Sequence, residues 1–151
     1  MTDVDPAARA FVAAAVADRD VAEFAIGLIA AGPADQTTDA RIRAARRLRL
    51  LALEVLDRTV IAEALAGASW EELGAALGLD PAVAEGRYAQ AVELWQDPAG
   101  AWMRGPGEAG DPDVAGTAAA VDAWFARVQP LLNPGAEAEE SPVSRLLTDQ
   151  Q

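Results

Sequence analysis

The side chains that could do chemistry in this 151-residue chain are carboxylates, hydroxyls and arginines. There is no histidine or cysteine, and all twelve basic residues are arginines, so imidazole bases, thiolate nucleophiles, Schiff-base lysines and zinc sites built from His and Cys are excluded. Glu54 and Asp57 share a predicted helix face, with Glu63 two turns further on, and carboxylates so arranged can hold Mg²⁺. Arg58 and other nearby arginines offer them ordinary ion-pair partners instead. We therefore expect a protein that is not an enzyme and carries no cofactor or metal.

The net charge is −12, from 24 acidic and 12 basic residues, and it disfavours contact with phosphate backbones and anionic membranes. One segment has the opposite sign, with five arginines within nine residues. Four of them, Arg43, Arg46, Arg47 and Arg49, are predicted to project from a long helix, opposite an apolar face that includes Leu51 and Leu56. The cluster of five could contact a phosphate backbone. The alternative is a solvated face, or one that pairs with acidic residues of this chain or of a partner. The five are Arg41, Arg43, Arg46, Arg47 and Arg49.

Hydrophobic residues make up 52% of the chain, and many of them are alanines, which favour helices. The longest apolar runs, residues 11–17 and 24–31, are too short to span a bilayer. No N-terminal segment has the pattern of a secretory signal. We therefore expect a cytoplasmic, all-α protein with no membrane partner.

Helix start and stop signals divide the chain into five segments. Residues 1–33 are predicted to form an N-terminal helical hairpin with a break near residues 18–20, and residues 38–96 a core of three helices. Residues 97–112 contain four glycines and three prolines and are predicted to be a linker. Residues 113–132 are predicted to form an amphipathic helix, and residues 133–151 an acidic, disordered tail.

The predicted three-helix core carries specific capping signals. Ser69, followed three residues later by Glu72, matches the capping box that starts a helix. Gly78 is expected to end this helix in a left-handed conformation. Asp80–Pro81 then opens the next helix with a capping side chain followed by proline. The pattern predicts two helices joined by a tight turn.

The segment SWEELGAALGLDPAVAEGRYAQAVELW, residues 69–95, resembles the helix-turn-helix of small bacterial transcription regulators and of the promoter-reading region of sigma factors. Gly74 and Ala75 provide the small residues that a steep crossing of two helices needs, and Gly78 provides the turn. The resemblance implies a tri-helical fold whose last helix lies in the major groove of duplex DNA. The positions that it would bring to the bases are Ala82, Glu85, Gly86, Arg87 and Gln90.

In this family, contacts with bases and phosphates favour basic and amide side chains on the last helix. The residues from Asp80 to Asp97 depart from this pattern, because they include four carboxylates and one arginine. Two functions are therefore considered. The first is a DNA-associated transcriptional regulator whose arginine cluster contacts phosphates. The second is an acidic protein–protein interaction module, an adaptor or anti-factor, that uses the motif only as a scaffold and binds a basic protein partner.

The amphipathic helix at residues 113–132 also predicts a homodimer, because its wide apolar stripe must be buried within the chain or across a two-fold axis. An aromatic residue in the linker could fold back onto the core or serve as an exposed anchor for a partner. The residues assigned to this interface are Val114, Val121, Trp124, Phe125, Val128 and Trp102.

Overall fold

The computed structural model describes residues 4–32, 36–97, 113–132 and 142–148. No strand occurs in these ranges, and the prediction of an all-α fold is confirmed. None of the helices within them is both long and apolar enough to cross a bilayer. A single turn of 3-10 helix covers Ser144–Leu147. The α-helices are α1 (Pro6–Ala31), α2 (Thr38–Leu65), α3 (Trp70–Leu77), α4 (Pro81–Gln96) and α5 (Val114–Leu132).

Helix α1 is continuous, so the predicted N-terminal hairpin within residues 1–33, with its break near residues 18–20, is wrong. The charged segment at this point contains no glycine or proline that would stop a helix. Arg19 pairs with Asp20 at 3.0 Å while both keep their helical conformation. Gly32, with a φ of 64°, ends the helix. A hairpin does form, but it consists of α1 and α2, which make the most extensive helix–helix contact in the described chain.

The main core lies where the beginning of α1 and the end of α2 meet α3 and α4. The large side chains in it come mostly from α4, namely Tyr88, Val92 and Trp95, whereas α1 contributes alanines. Small residues let the helices approach closely but remove little apolar surface from water. The buried members are Ala10, Ala13, Val60, Ile61, Ala62, Leu73, Tyr88, Val92 and Trp95.

The second half of α1 and the first half of α2 extend beyond this core. The buried residues of α1 all lie between Ala7 and Ala17. Those of α2 are Leu51 and the segment 60–62. Within the described ranges, the first four turns of α2 therefore contact α1 on one side and have much of their remaining surface exposed.

A second apolar cluster joins α5 and the C-terminal turn to α1. Val121 is buried in it and the half-buried Val114 packs against it, so this part of the α5 stripe contacts the chain itself, which corrects its assignment to a dimer interface. Trp124, Phe125 and Val128 are half-buried, and Trp102 lies outside the described residues. The cluster consists of Val12, Val16, Ala118, Val121 and Val143, with Ala15, Val114, Leu146 and Leu147 packed against it.

Residues 142–148 adopt a defined structure against this cluster, so the predicted disorder of residues 133–151 is wrong for them. The carboxylate of Asp122, a buried residue of α5, accepts hydrogen bonds from the backbone N–H groups of Val143 (2.8 Å) and Ser144 (2.9 Å). Burial raises the pKa of Asp122, but the hydrogen bonds from Ser144 and Val143 and the charge of Arg145 outweigh it and lower the pKa. The rest of the predicted tail and residues 98–112 of the predicted linker lie outside the described ranges.

Replacement of Asp122 by alanine is expected to release the C-terminal turn from α5, because two backbone N–H groups lose a charged acceptor at a cost of about 1–3 kcal/mol. The folded state lowers the pKa of Asp122, so its stabilising contribution is present above about pH 4 and is lost as the pH falls through the folded-state pKa. Amide hydrogen exchange at Val143 and Ser144 measures both effects, with the exposed Glu63→Gln as control. Unchanged protection in Asp122→Ala would contradict this role.

Candidate interaction surfaces on helices α2 and α4

The connection between α3 and α4 is built from the capping residues that the sequence predicts. The Ser69 Oγ accepts a hydrogen bond from the Glu72 N–H (3.3 Å), and the Ser69 N–H donates to Glu72 Oε2 (2.8 Å), which confirms the capping box. These bonds from Ser69 lower the pKa of Glu72. Gly78 ends α3 in the left-handed region, at φ 67° and ψ 31°, and Asp80 caps α4 through the Ala82 N–H (2.9 Å). The turn is therefore defined by local interactions alone.

Gly74 lies at the closest approach of α3 and α4. A Cβ atom at this position would stand 2.9 Å from the backbone oxygen of Leu79 and 3.2 Å from Cα of Pro81. Both neighbours are backbone atoms that cannot rotate away. Ala75, the other small residue predicted at the crossing, is exposed. The crossing of the two helices therefore depends on a glycine at position 74.

Helix α4 is attached to α2 through Tyr88. The ring is buried, and the hydroxyl donates a hydrogen bond to Asp57 Oδ1 at 2.8 Å. Burial raises the pKa of Tyr88, and the hydrogen bond to Asp57 and the charge of that carboxylate raise it further, so the phenol remains a protonated donor. Glu54 pairs with Arg58 at 2.6 Å. These two carboxylates serve the packing of α2, and no group of three or more ligating residues in the described ranges could hold a metal ion.

The five residues predicted to meet DNA bases, Ala82, Glu85, Gly86, Arg87 and Gln90, are all exposed. They do not form one continuous face. Gly86 and Gln90 lie opposite the buried side of α4, whereas Glu85 and Arg87 lie to either side of them. The Arg87 guanidinium is placed over the Tyr88 ring, 5.7 Å from its centroid. Among the predicted base-reading positions, only Gln90 presents an amide on the outward side.

Two aliphatic residues that the sequence did not assign to a site lie on this outward side. Val83 and Leu94 are 55% and 51% exposed, and with Gly86 and Gln90 they form a stripe at spacings of three, four and four residues. The helical spacing of Val83 and Leu94 could have identified them from the sequence, because they fall outside the buried pattern of Ala84, Tyr88, Val92 and Trp95. Glu93 adds a carboxylate beside the stripe. We call Val83, Gly86, Gln90, Glu93 and Leu94 the α4 face.

All five arginines of the predicted cluster are exposed, on the first half of α2. At about 100° per residue, the four that are predicted to project opposite the apolar face, Arg43, Arg46, Arg47 and Arg49, lie within about 160° of the helix circumference, and Arg41 lies outside this range. Arg43 forms an ion pair with Asp39, one turn before it. The arginine of the cluster nearest to the α4 attachment is Arg49, and it lies about 12 Å along the helix axis from Asp57. The cluster and the exposed side of α4 are therefore separate surfaces.

The side of α2 that carries α4 continues, uncovered, toward the start of the helix. Arg46, Leu50, Leu53, Asp57 and Val60 follow one another at spacings of four and three residues. Asp57 and Val60 contact α4 or lie in the main core, but Leu50 and Leu53 are 58% and 45% exposed. Leu56, expected on the apolar side, is exposed as well. We call the exposed residues on this side, Ile42, Arg46, Arg49, Leu50, Leu53 and Leu56, the α2 face.

Comparison of the chain with protein-family models, with curated proteins and with solved structures finds no match.

Two glycine substitutions are expected to have opposite effects on stability. Gly74→Ala should lower the free energy of unfolding by about 1–3 kcal/mol, because the new methyl group meets backbone atoms of Leu79 and Pro81. Gly86→Ala should raise it by about 0.5–1 kcal/mol, because the position is helical and a Cβ atom there would meet no neighbouring atom within 4 Å. Denaturant unfolding followed by circular dichroism gives both values. A Gly74→Ala variant as stable as the wild type would show that the crossing does not need glycine.

Proposed function

We propose that this protein is a non-enzymatic regulatory protein of the helix-turn-helix class that works through protein–protein contacts, with α2, α3 and α4 as the scaffold. Support for the class comes from a short capped helix, a left-handed glycine turn and a second capped helix packed on a long supporting helix. Support for a non-enzymatic role comes from Glu54 and Asp57, which are held by Arg58 and Tyr88.

The observation that carries the proposal is the composition of the α4 face. A recognition helix needs basic or amide side chains toward the bases and the phosphates. Here the outward stripe is aliphatic or small apart from Gln90, and Arg87 lies over its neighbour's ring. Residues 70–97 hold six carboxylates against one arginine, a net charge of −5. The aliphatic stripe, with Glu93 beside it, fits a basic, partly apolar protein surface, and the acidic segment around it repels a phosphate backbone.

A photo-crosslinking amino acid at Gln90 tests this proposal in living cells. We expect adducts that are destroyed by protease and resist nuclease, because the α4 face contacts protein. The same amino acid at Ala119, an exposed position of α5, is the matched control and should give few adducts. Adducts that contain nucleic acid would overturn the proposal.

Association with duplex DNA is a second candidate function, favoured by the arginines of α2. Residues 38–53 hold five arginines against one aspartate, a net charge of +4, and all five side chains are exposed. Arginines on a supporting helix can contact phosphates and position a protein on the duplex. Binding of this kind depends steeply on salt concentration, because each phosphate contact releases counterions.

Selection from a random duplex library at about 50 mM salt tests this second function. If the arginines contact phosphates, duplexes are retained at low salt, and Arg46→Ala with Arg47→Ala reduces retention. The charge-matched variant Arg19→Ala with Arg127→Ala should leave retention unchanged, since these residues lie on α1 and α5. Our first proposal predicts that wild-type protein retains no duplex above background and that no motif is enriched.

A further inference from the structure

We infer that two copies of this chain pair by exchange of surfaces: the α4 face of each copy packs on the α2 face of the other, across a two-fold axis. The inference rests on the proposed function, since it names the protein that the α4 face binds. It also states which helix covers the exposed aliphatic side chains of the α2 face.

An α4 helix already packs on this side of α2 within one copy. It covers the stripe at Asp57 and Val60, with a hydrogen bond to Asp57 and with Val60 inside the main core. The next residues of the same stripe, Leu53 and Leu50, are of the type that helix packing buries, and no described helix covers them. The uncovered part continues a surface that is already used for helix packing.

The positions of the two faces permit the exchange. The buried residues of α4, Tyr88 among them, face α2. The α4 face therefore points away from α2, in the same direction as the side of α2 that carries Leu50 and Leu53. The axes of packed helices lie about 8–10 Å apart, so α4 stands above the surface of α2 by about this distance, beside the uncovered Leu50 and Leu53. A two-fold rotation places α4 of the second copy next to α4 of the first, over these two leucines. The operation produces two identical contacts.

The lengths of the two faces agree. Val83 and Leu94 are eleven residues apart, which is about 16 Å along α4. Ile42 and Leu56 are fourteen residues apart, about 21 Å along α2. Gly86 lies near the middle of the α4 face, where even a Cβ atom would have no neighbouring atom within 4 Å. This open position leaves room for a large side chain such as Leu53 of the second copy.

The two faces are also complementary in charge. Arg46 and Arg49 form no ion pair with any described residue. The α2 carboxylates around them have intrachain partners: Asp39 pairs with Arg43, Glu54 with Arg58, and Asp57 accepts from Tyr88. The exposed carboxylate of Glu93 is the charged member of the α4 face. Contact between the α2 face and the α4 face of different copies therefore brings Arg46 and Arg49 toward the carboxylate of Glu93.

Charge also disfavours the simpler arrangement in which the two α2 faces pack on each other. Around their midpoint, Arg49 of one copy would meet Arg49 of the other, with both Arg46 side chains close by. Like charges in direct opposition disfavour this arrangement. If the α4 faces packed on each other, Glu93 would meet no basic residue of either face. The exchange of α2 for α4 is the pairing in which each face meets the opposite charge.

Sedimentation equilibrium of the full-length protein tests the inference. We expect a dimer that Leu53→Glu weakens about thirtyfold, because the new carboxylate is buried against the aliphatic stripe of the α4 face. Arg46→Glu and Glu93→Arg should each weaken it by a few-fold, about fivefold at most, as exposed ion pairs do. The double variant Arg46→Glu with Glu93→Arg should recover the wild-type association. The control pair Arg47→Glu and Glu85→Arg makes the same charge changes on the same helices, away from both faces, and should leave association unchanged.

A monomer, or a dimer that Leu53→Glu leaves unchanged, would overturn the inference, as would equal weakening by the control pair. Circular dichroism of each variant verifies folding, which surface positions should preserve. Failure here is distinct from failure of the proposed function. Protein adducts at Gln90 that contain a different polypeptide would support the protein-binding role and overturn self-pairing, whereas nucleic-acid adducts would overturn the role itself.

Discussion

The architecture of this protein depends on the packing of one long helix, α2, against two helices that contact different lengths of it. Helix α1 contacts it most extensively, and α4 is attached on another side through Tyr88 and Asp57, in the second half of α2. The main core forms where all three meet and is rich in alanine on the α1 side. The first half of α2 therefore keeps an aliphatic stripe for which the described chain has no cover, and this constraint generates the surfaces that bear on function.

Much of the fold could be predicted because the signals are local. The Ser69–Glu72 capping box, the left-handed Gly78 and the Asp80 cap each depend on a few neighbouring residues. The break expected near residues 18–20 fails because charged residues are compatible with a helix when nothing in the chain interrupts it. The C-terminal turn escapes prediction for the converse reason: its order depends on the distant carboxylate of Asp122. Interactions over long sequence separations are what a reading of local patterns cannot supply.

The candidate site was only partly predictable. Composition located the arginines of α2 and the acidic character of residues 70–97, but the grouping of side chains into faces follows from which side of each helix is covered. Helical spacing predicts a buried Leu56, yet α1 covers only one side of α2 there. Val83 and Leu94 could have been found by their phase relative to the buried stripe of α4. The exposure of Val83, Leu94 and Leu53 depends on tertiary packing.

The spread of the arginines around α2 has a consequence for the relation between self-pairing and DNA. Arg46 and Arg49 lie on the α2 face and would be covered in the proposed dimer, while Arg41, Arg43 and Arg47 lie outside it. The same dimer would bury the α4 face, so α4 could not enter the major groove while the copies were paired. Contact of such a dimer with duplex DNA through α2 would then be made by the outer arginines, which the two-fold axis would duplicate. Such contact would bind phosphates without contacting base edges, so DNA sequence specificity would have to come from another protein.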